Sequence, residues 1–251
     1  MISAVLIVKN GERHLAECLD ALEGFAEIVL VDTGSTDRTR EIARAYPNLR
    51  WFEREFIGFG PTKNLAAGLA TRDWIFSIDA DEVMTPELRW EIQNLDLDPR
   101  KVYRVPRQSY YNRKWIRGCG WYPDRVLRLY HRGHTGFNRN RVHESVQVPS
   151  GMEITDLEGA LKHYPYDNAD QLVEKARFYA GLYAEEHAGR KNASPWQAAA
   201  HGLAAFLKGY VLRRGWRDGY EGFAICLAQG LAAWLKYARL YEANRNRQID
   251  A

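Results

Sequence analysis

Two hydrophobic periods alternate along the first hundred residues of the chain. Short apolar runs rich in β-branched residues predict four strands, over residues 4–8, 28–31, 49–52 and 74–78. Apolar residues at helical spacing, together with capping residues and prolines, predict the intervening helices, over residues 12–22, 35–45, 61–69 and 86–95. This alternation predicts a parallel sheet covered by helices, with ligands bound where the strands end.

The pattern changes after residue 100. Residues 102–111 and 125–130, and more briefly 145–148, alternate basic with apolar or aromatic residues, which predicts strands with one solvent-exposed side. Residues 168–242 are typical of helices, one over 169–187, a second opened by Ser194 and Pro195, and a third over 216–241. The sequence therefore predicts an α/β region followed by a helical one.

Composition narrows the class of protein. The chain has 251 residues, of which 46% are hydrophobic and 12% aromatic, so it can bury a core and is not disordered. Its three cysteines, Cys18, Cys119 and Cys226, are far apart in the sequence, which excludes a disulfide scaffold and fits a reducing, intracellular compartment. The first residues lack the features of a signal peptide, and the longest uncharged runs, 195–207 and 222–235, are shorter than the ~20 residues of a membrane span.

Charge is distributed unevenly along the chain. Residues 1–99 contain 10 basic and 18 acidic residues, whereas residues 100–145 contain 12 basic and only 2 acidic ones. A concentrated cationic segment suits an anionic ligand. The alternative is a solvated, arginine-rich face without a ligand.

Paired acids follow the fourth predicted strand. Asp79 and Asp81 emerge directly from an apolar run, where two carboxylates would be costly unless positive charge meets them. A hard divalent cation does this, and it also binds phosphate oxygens and can neutralise a diphosphate leaving group. The alternative is that Asp81, Glu82 or Thr85 caps the following helix.

A second acidic signal follows the second predicted strand. Asp32 precedes Gly34 and a capped helix, a shape in which the carboxylate can accept hydrogen bonds from a nucleoside. The glycine-rich signatures of dinucleotide-binding and P-loop proteins are both missing from the sequence.

Together these motifs resemble family 2 glycosyltransferases, and most closely the lipopolysaccharide core subgroup of the WaaE/KdtX type. The motifs are VKNGE at 8–12, VDTGSTD at 31–37, GFGPTKN at 58–64, DADE at 79–82, GWYPD at 120–124, VHE at 142–144 and HY at 163–164. The resemblance implies an α/β fold of the GT-A class, with a Rossmann-like nucleotide-binding half and a mixed sheet. It also implies that the sugar of a nucleotide-diphosphate donor is transferred with inversion, UDP-glucose being the donor expected of the subgroup.

The resemblance also assigns roles by position. Lys9, Asn10 and Asp32 would face the nucleoside, and Lys63 would face the base or a phosphate. Asp79 would lie near ribose and metal, and Asp81 would bind Mg²⁺ or Mn²⁺. We expect a glycosyltransferase domain over residues 1–165, divided into a nucleotide-sugar half (1–99) and an acceptor half (100–165), and a helical region over 166–251.

Inverting transfer requires a base for the acceptor hydroxyl, and the cationic segment contains two acids. We select Glu144 as the base and keep Asp124 as the second candidate. The alternative for Glu144 is a structural ion pair with Arg139 or Arg141. His143 either orients the acceptor or packs, and His163 either approaches the metal or diphosphate or is structural.

Aromatic residues among the arginines suit an anionic saccharide acceptor, because rings pack on sugars and guanidinium groups bind phosphates. They are Tyr110, Tyr111, Trp115, Trp121 and Tyr122. The alternative is that they belong to the core. We expect no nucleic-acid partner, because the donor motifs explain more residues and no nucleic-acid module is recognisable.

The predicted C-terminal helices combine aromatic and basic residues, as a helix lying on anionic lipid does. The aromatic and apolar ones are Trp196, Phe206, Leu207, Tyr210, Trp216, Phe223, Trp234 and Leu235, and the basic ones are Lys208, Arg213, Arg214 and Arg217. A lipid-linked acceptor would favour a cytoplasmic protein, peripheral on the inner membrane. The alternative is helix packing onto the catalytic domain.

Two other functions stay open. A sugar-phosphate nucleotidyltransferase also combines an α/β unit with acidic metal ligands, and would release pyrophosphate. A catalytically silent carbohydrate- or membrane-binding protein would tolerate Asp81→Ala and Glu144→Ala without loss of function.

Overall fold

The first half of the sheet consists of four parallel strands, which lie side by side in the order Leu49–Glu53, Glu27–Asp32, Ile2–Val8 and Trp74–Ser77. The computed structural model of the chain describes residues 1–140 and 144–249. The four strands are β1 (Ile2–Val8), β2 (Glu27–Asp32), β3 (Leu49–Glu53) and β4 (Trp74–Ser77). They confirm the parallel α/β unit expected from the apolar runs.

The second half of the sheet is mixed. Its strands are β5 (Glu82–Met84), β6 (Lys101–Tyr111), β7 (Lys114–Trp115), β8 (Arg125–His131), β9 (Glu153–Asp156) and β10 (Leu161–Tyr166). β8 runs antiparallel to both β4 and β6, and β10 runs antiparallel to β5. The predicted strand over 145–148 is wrong, because Val146 makes only an isolated bridge to Phe137.

Seven α-helices occur in the part of the chain that the structure describes. They are α1 (Leu15–Ala21), α2 (Thr39–Ala43), α3 (Phe59–Leu69), α4 (Pro86–Gln93), α5 (Ala169–His187), α6 (Pro195–Leu207) and α7 (Gly219–Ile249). A π-helical turn (Lys208–Leu212) and a 3₁₀ turn (Gly215–Asp218) join α6 to α7.

Alternate residues of each parallel strand enter different cores. In β1, Ala4 and Leu6 pack in the cluster that contains Leu15 of α1 and Leu88 of α4, whereas Val5 packs in the cluster that contains Ala66 of α3. This alternation follows from the two-residue period of a strand. Helices therefore cover both faces, as a buried parallel sheet requires.

The helix expected from residue 35 begins only at Thr39. Ser35 and Thr36, whose side chains looked like caps, are bonded elsewhere: Ser35 accepts a hydrogen bond from the N–H of Asn10, and the N–H of Thr36 donates to the side chain of Asn10. These bonds tie residues 35–36 to the loop after β1, so the chain turns there before it becomes helical.

The chain forms two compact units. The first contains residues 1–108 and 124–164, and the second contains residues 109–123 and 165–251. The aromatic segment 109–123 thus packs with the C-terminal helices, where Tyr111, Ile116 and Cys119 share a core with Ile225 of α7. The core interpretation holds for Tyr111, which is 3% exposed, whereas Tyr122 is 39% exposed.

Buried thiols meet within the second unit. The Sγ atoms of Cys119 and Cys226 are 3.4 Å apart, although the two residues are far apart in the sequence. Burial raises the pKa of the Cys119 thiol, and the neighbouring Cys226 raises it further. The pair therefore stays protonated and behaves as part of the core.

Small residues set the packing of α6 on α7. Gly202 faces Gly230 so closely that a Cβ on Gly202 would lie 3.2 Å from the carbonyl oxygen of Gly230 and 3.0 Å from Cβ of Trp234.

Searched over the described residues, none of the helices combines the length and the apolar character of a membrane span.

A buried carboxylate at the start of β2 makes stability depend on pH. Glu27 accepts hydrogen bonds from Ser3, Thr71 and Arg50. Burial by itself would raise the pKa of Glu27, but these bonds outweigh it and lower the pKa from 4.5 to about 2. Because the folded-state pKa is depressed, the stabilisation is complete above the unfolded pKa and is lost as pH falls through about 2.

We therefore expect the free energy of unfolding to fall by about 2 kcal/mol between pH 4.5 and 2 on account of this group alone. Urea unfolding at a series of pH values measures it. Glu27→Gln should flatten the curve over that window, whereas Glu41→Gln, at an exposed position of α2, should leave its shape unchanged. Equal curves for Glu27→Gln and the unchanged protein would contradict the prediction.

Candidate functional site

The register of the sheet brings the ends of β1, β2 and β4 to one edge. Val8 is paired with Asp32, and the N–H of Thr33 donates to the carbonyl of Val8. On the other side of β1, the N–H of Ile78 donates to the carbonyl of Val5. The loops that follow these strands therefore meet at the carboxyl edge of the parallel sheet, where such sheets bind ligands.

The loop after β1 is fixed against the loop after β2. Asn10 has a left-handed backbone with φ of 54°, and its side-chain oxygen accepts a 2.8 Å hydrogen bond from the N–H of Thr36. Gly11 donates to Thr39, also at 2.8 Å. Lys9 and Asn10 are exposed, so this framework presents them to solvent beside the end of β2.

A hollow of about 560 Å³ opens at the end of β2. Its lining residues are Asp32, Thr33, Gly34, Ser35, Arg40, Trp51, Glu53, Arg54 and Glu55. Asp32 is 5% exposed, and its carboxylate accepts hydrogen bonds from the N–H groups of Gly34 and Ser35. A carboxylate, an indole and guanidinium groups around one hollow can stack on a flat ring and bond its edges.

Asp79 follows β4 and is held between two cations of the chain itself. Its Oδ1 atom is 2.8 Å from Nζ of Lys63, and its Oδ2 atom is 2.6 Å from a guanidinium nitrogen of Arg128. Burial would raise the pKa of Asp79, but Arg128 and Lys63 outweigh it and hold the pKa far below its ordinary range. The positive charge that the sequence analysis sought in a metal is thus supplied here by Lys63 and Arg128.

An ion-pair chain continues from Arg128. The same guanidinium nitrogen of Arg128 contacts Glu82, which is fully buried, and Arg107 lies 3.3 Å from Glu82. Arg107 also pairs with Asp124 at 2.7 Å. Burial would lower the pKa of Arg128, but the charges of Asp79 and Glu82 raise it above its ordinary value.

Glu144 is bound to the other side of the Lys63 ammonium group. The distance from Nζ to Oε1 is 2.9 Å, and the side chain of Glu144 is 19% exposed. Lys63 itself is 3% exposed and lies over the ring of Phe137. The observed partner of Glu144 is therefore Lys63, which was not among the expected partners; Arg141 and His143 lie outside the described residues.

Asp81 lies beside His163. Nε2 of His163 is 3.6 Å from Oδ2 of Asp81, and β10 is anchored there because the N–H of Tyr164 donates to the carbonyl of Asp81. The Asp81 side chain is 43% exposed, and that of His163 is 14% exposed. A carboxylate and an imidazole at this separation fit Mn²⁺ better than Mg²⁺, which prefers oxygen ligands.

Few protein ligands are available for a metal ion at this site in the part of the chain that the structure describes. Searched over residues 1–140 and 144–249, the structure contains no cluster of three or more His, Cys, Asp and Glu side chains arranged to hold a metal ion. Asp79 is engaged by Lys63 and Arg128, so Asp81 and His163 are the donors that fit, and other ligands would have to come from phosphate or water. The helix-capping alternative applies to Thr85, which accepts a hydrogen bond from the N–H of Leu88.

The structure thus brings together most of the residues that the sequence singled out. Lys63, Asp79 and Glu144 share one ion-pair cluster, Asp81 and His163 form a second group, and Asp32 lines the hollow with Asn10 nearby. Among the described residues, Asp124 is connected to this cluster through Arg107, Glu82 and Arg128.

Sequence reasoning missed Arg128, Arg107 and Trp51, and it treated Glu82 only as part of the acidic motif or as a possible helix cap. The sequence did contain a signal for Arg128, because it is a basic residue within the apolar run that forms β8, the strand that pairs with β4. A basic side chain buried there requires an acidic partner. The sequence contained no such signal for Trp51, because its place in the lining of the hollow depends on how β3 lies beside β2.

An α/β sheet with acids and bases at its strand ends is typical of enzymes that bind nucleotides. Comparison with known proteins gives the class. Residues 3–141, more than half of the chain, match the family Glycosyl transferase family 2. The chain is also 30% identical over 254 residues to the lipopolysaccharide core biosynthesis glycosyltransferase LpsC of Rhizobium meliloti, covering 96% of this chain and 92% of LpsC.

Solved structures also resemble the chain. Staphylococcus aureus TarS 1–349 in complex with UDP-GlcNAc is 14% identical, with a TM-score of 0.48 over 99% of this chain and 92% of that one. Glucosyl-3-phosphoglycerate synthase of Mycobacterium tuberculosis, crystallised with Mn²⁺, UDP and phosphoglyceric acid, is 21% identical, with a TM-score of 0.32 over 45% of this chain and 43% of that one.

The chain belongs to glycosyltransferase family 2. Its fold is the α/β class expected from the resemblance, a mixed sheet with helices and a C-terminal helical region. Family membership decides for a glycosyltransferase over a nucleotidyltransferase or a silent binding protein.

The buried part of the ion-pair chain makes a large contribution to stability. Arg128→Met would leave Glu82, which is fully buried, with one cation at 3.3 Å, and Asp79 with Lys63 alone. Breaking a buried pair from one side costs about 3–5 kcal/mol. We expect urea unfolding to show a loss of that size.

Arg104→Met is the matched control. Arg104 also pairs with an aspartate, Asp156, but both side chains are more than a third exposed. Exposed pairs contribute about 1 kcal/mol or less. Equal losses for the two variants would mean that burial does not govern the Arg128 pairs.

Proposed function

We propose that this glycosyltransferase transfers a hexose, with inversion, from a nucleotide-diphosphate donor to an anionic saccharide of the lipopolysaccharide-core type. The observation that carries the proposal is that one buried ammonium group, Nζ of Lys63, contacts both Asp79 and Glu144. It supports a single reaction centre in which donor-binding and acceptor-activating residues adjoin.

The donor half of the proposal rests on the edge formed by β1, β2 and β4. The nucleoside occupies the hollow beside Asp32, with Lys9 and Asn10 at its rim, and the diphosphate extends towards Lys63 and Asp79. The exposed ammonium group of Lys9 and the family motifs support this direction. UDP-glucose is the donor we expect, because the motifs resemble the lipopolysaccharide core subgroup.

The acceptor half rests on Glu144. Its carboxylate takes the proton of the acceptor hydroxyl as the hydroxyl oxygen forms a bond to the anomeric carbon. The bond from that carbon to the diphosphate oxygen breaks on the opposite face, so the configuration is inverted and the electron pair leaves with the diphosphate. A positioned general base contributes about 10²–10⁴-fold to such a step.

Asp81 and His163 would hold a divalent cation, Mn²⁺ or Mg²⁺, with Asp79 beside them. When bound, the cation neutralises charge on the diphosphate. Asp79, kept ionised by Lys63 and Arg128, orients Lys63 between the donor and Glu144. The Asp81 carboxylate, 3.6 Å from Nε2 of His163, is 43% exposed and so is accessible to a cation.

The likeness to LpsC over nearly the whole chain supports an acceptor in the lipopolysaccharide core. The excess of basic residues over 100–145 suits a phosphorylated or carboxylated saccharide. We propose that the acceptor is lipid-linked and that transfer takes place at the cytoplasmic face of the inner membrane. Residues 1–165 form the catalytic domain in this proposal, and the helices over 166–251 attach it to the membrane.

Replacing the proposed base should abolish transfer without abolishing donor binding. Glu144→Gln keeps an oxygen for Lys63 but cannot take a proton, so we expect kcat to fall about 10²–10⁴-fold. Nucleotide release in the presence of acceptor measures the rate, and NMR of the product gives the anomeric configuration.

Asp124→Asn is the control for this variant, because Asp124 pairs with Arg107, whereas Lys63 pairs with Glu144 and Asp79. We expect its kcat to stay within a few-fold of that of the unchanged protein. An active Glu144→Gln with an inactive Asp124→Asn would transfer the role of base to Asp124. Retention of configuration would overturn the inverting mechanism.

The metal proposal predicts a loss of binding. Titration calorimetry of UDP in the presence and absence of Mn²⁺ should show tighter binding with the metal, and Asp81→Asn should remove at least about tenfold of that gain, because a carboxylate ligand is lost. Asp73→Asn, an exposed aspartate at a surface ion pair, should keep it. If UDP bound equally well with and without Mn²⁺ or Mg²⁺, the metal proposal would be contradicted, and the positive charges of Lys63 and Arg128 would suffice for UDP binding.

A further inference from the structure

The helix α6 carries its large apolar side chains on the outside. Trp196 is 86% exposed, Leu203 61% and Leu207 46%, whereas its buried residues are Ala198 and Gly202. A helix packed on a protein core normally shows the reverse arrangement, with large apolar residues inside and polar ones outside.

The packing of α6 explains why these residues cannot turn inward. Gly202 and Gly230 bring α6 and α7 so close that a Cβ on either glycine would lie 3.2 Å or less from an atom of the other helix. Phe206 and Tyr210 do pack, because both rings lie against Phe223. These two rings therefore pack within the helical unit, whereas Trp196, Leu203 and Leu207 are exposed.

The exposed apolar positions form one stripe. Residues 196, 203, 207 and 211 follow one another at spacings of seven and four, which keeps them on one side of a helix. The helical path continues past residue 207 into the π-helical turn, where Val211 is 54% and Leu212 77% exposed, and Trp216 follows at 53%. We call Trp196, Leu203, Leu207 and Val211 the outer stripe; Leu212 and Trp216 are also exposed, in the turns that join α6 to α7.

The segment that contains the outer stripe has charged residues of one sign only. From residue 187 to residue 217 the sequence contains no aspartate or glutamate, and Lys208, Arg213, Arg214 and Arg217 are all exposed. The next acid, Asp218, is 5% exposed and accepts hydrogen bonds from the N–H groups of Arg117 and Gly118. The segment that contains the outer stripe is thus cationic.

We propose that the outer stripe docks on the surface of an anionic lipid bilayer, with α6 lying in the plane of the headgroups. Tryptophan and leucine side chains beside lysine and arginine are what such a surface takes up, the apolar groups entering it and the cations binding lipid phosphates. The inference rests on the proposed function in one respect, since a lipid-linked acceptor lies at that surface.

Vesicle flotation of the full chain tests the proposal. Vesicles of phosphatidylcholine alone are compared with vesicles containing about a third phosphatidylglycerol, at low and high salt. We expect the chain to float with the anionic vesicles and to be released by salt. Leu203→Glu should weaken binding at least about tenfold, and Arg217→Gln about fivefold.

Trp90→Glu is the matched control, because Trp90 is an equally exposed aromatic residue, 68% exposed, on α4 of the other unit. It should float like the unchanged chain. Circular dichroism checks that Leu203→Glu is folded, and its transfer to a soluble, delipidated acceptor should be unchanged. Asp81→Asn should lose transfer but float normally, which separates failure of docking from failure of the proposed function.

Three results would overturn the docking proposal. The chain could fail to bind either kind of vesicle, or bind both equally, or Leu203→Glu could bind as well as the unchanged chain. Sedimentation velocity identifies the competing occupant: a dimer that Leu203→Glu converts to a monomer, without vesicle binding, would assign the outer stripe to a second copy of the chain.

Discussion

The need to balance the charge of Asp79, a partly buried carboxylate that follows the buried strand β4, is the constraint on which the site depends. A carboxylate there must be met by positive charge, and Lys63 from α3 and Arg128 from β8 both reach it. Each cation also contacts a second acid: Lys63 contacts Glu144, and Arg128 contacts Glu82. One electrostatic requirement thus links the parallel half of the sheet to the antiparallel strand beside it and sets the positions of the proposed donor and acceptor residues.

The ion pairs of Asp79 determine which residues are left to bind a divalent cation. Asp79 has its charge balanced by the chain, so Asp81 and His163 are the pair that fits a divalent cation. Lys63 and Arg128 neutralise charge in the same region that the proposal gives to the diphosphate. The cluster pairs three cations, Lys63, Arg107 and Arg128, with four acids, Asp79, Glu82, Asp124 and Glu144, so it has no excess of positive charge. A divalent cation would supply positive charge for the diphosphate, and the calorimetric comparison measures how much it contributes.

The second unit follows a different physical rule. Its helices α6 and α7 meet through glycine, which brings the backbones together and leaves the large apolar residues of α6 outside. Such an arrangement is unfavourable in water alone, because exposed leucine and tryptophan gain nothing there. It becomes favourable if that face contacts a lipid surface. The basic residues near it indicate that this lipid surface is anionic.

The sequence by itself determined the parallel unit, because two-residue and 3.6-residue periods are local, and it determined the family, because motifs such as those at 31–37 and 79–82 are contiguous. It misjudged the helix expected at residue 35, since the hydrogen bonds of Ser35 and Thr36 go to a loop 25 residues away. Only the tertiary structure decided that Lys63 joins Asp79 to Glu144, that Cys119 meets Cys226, and that Trp196 points outward. These contacts depend on the pairing of strands and the approach of helices, and no local pattern in the chain encodes them.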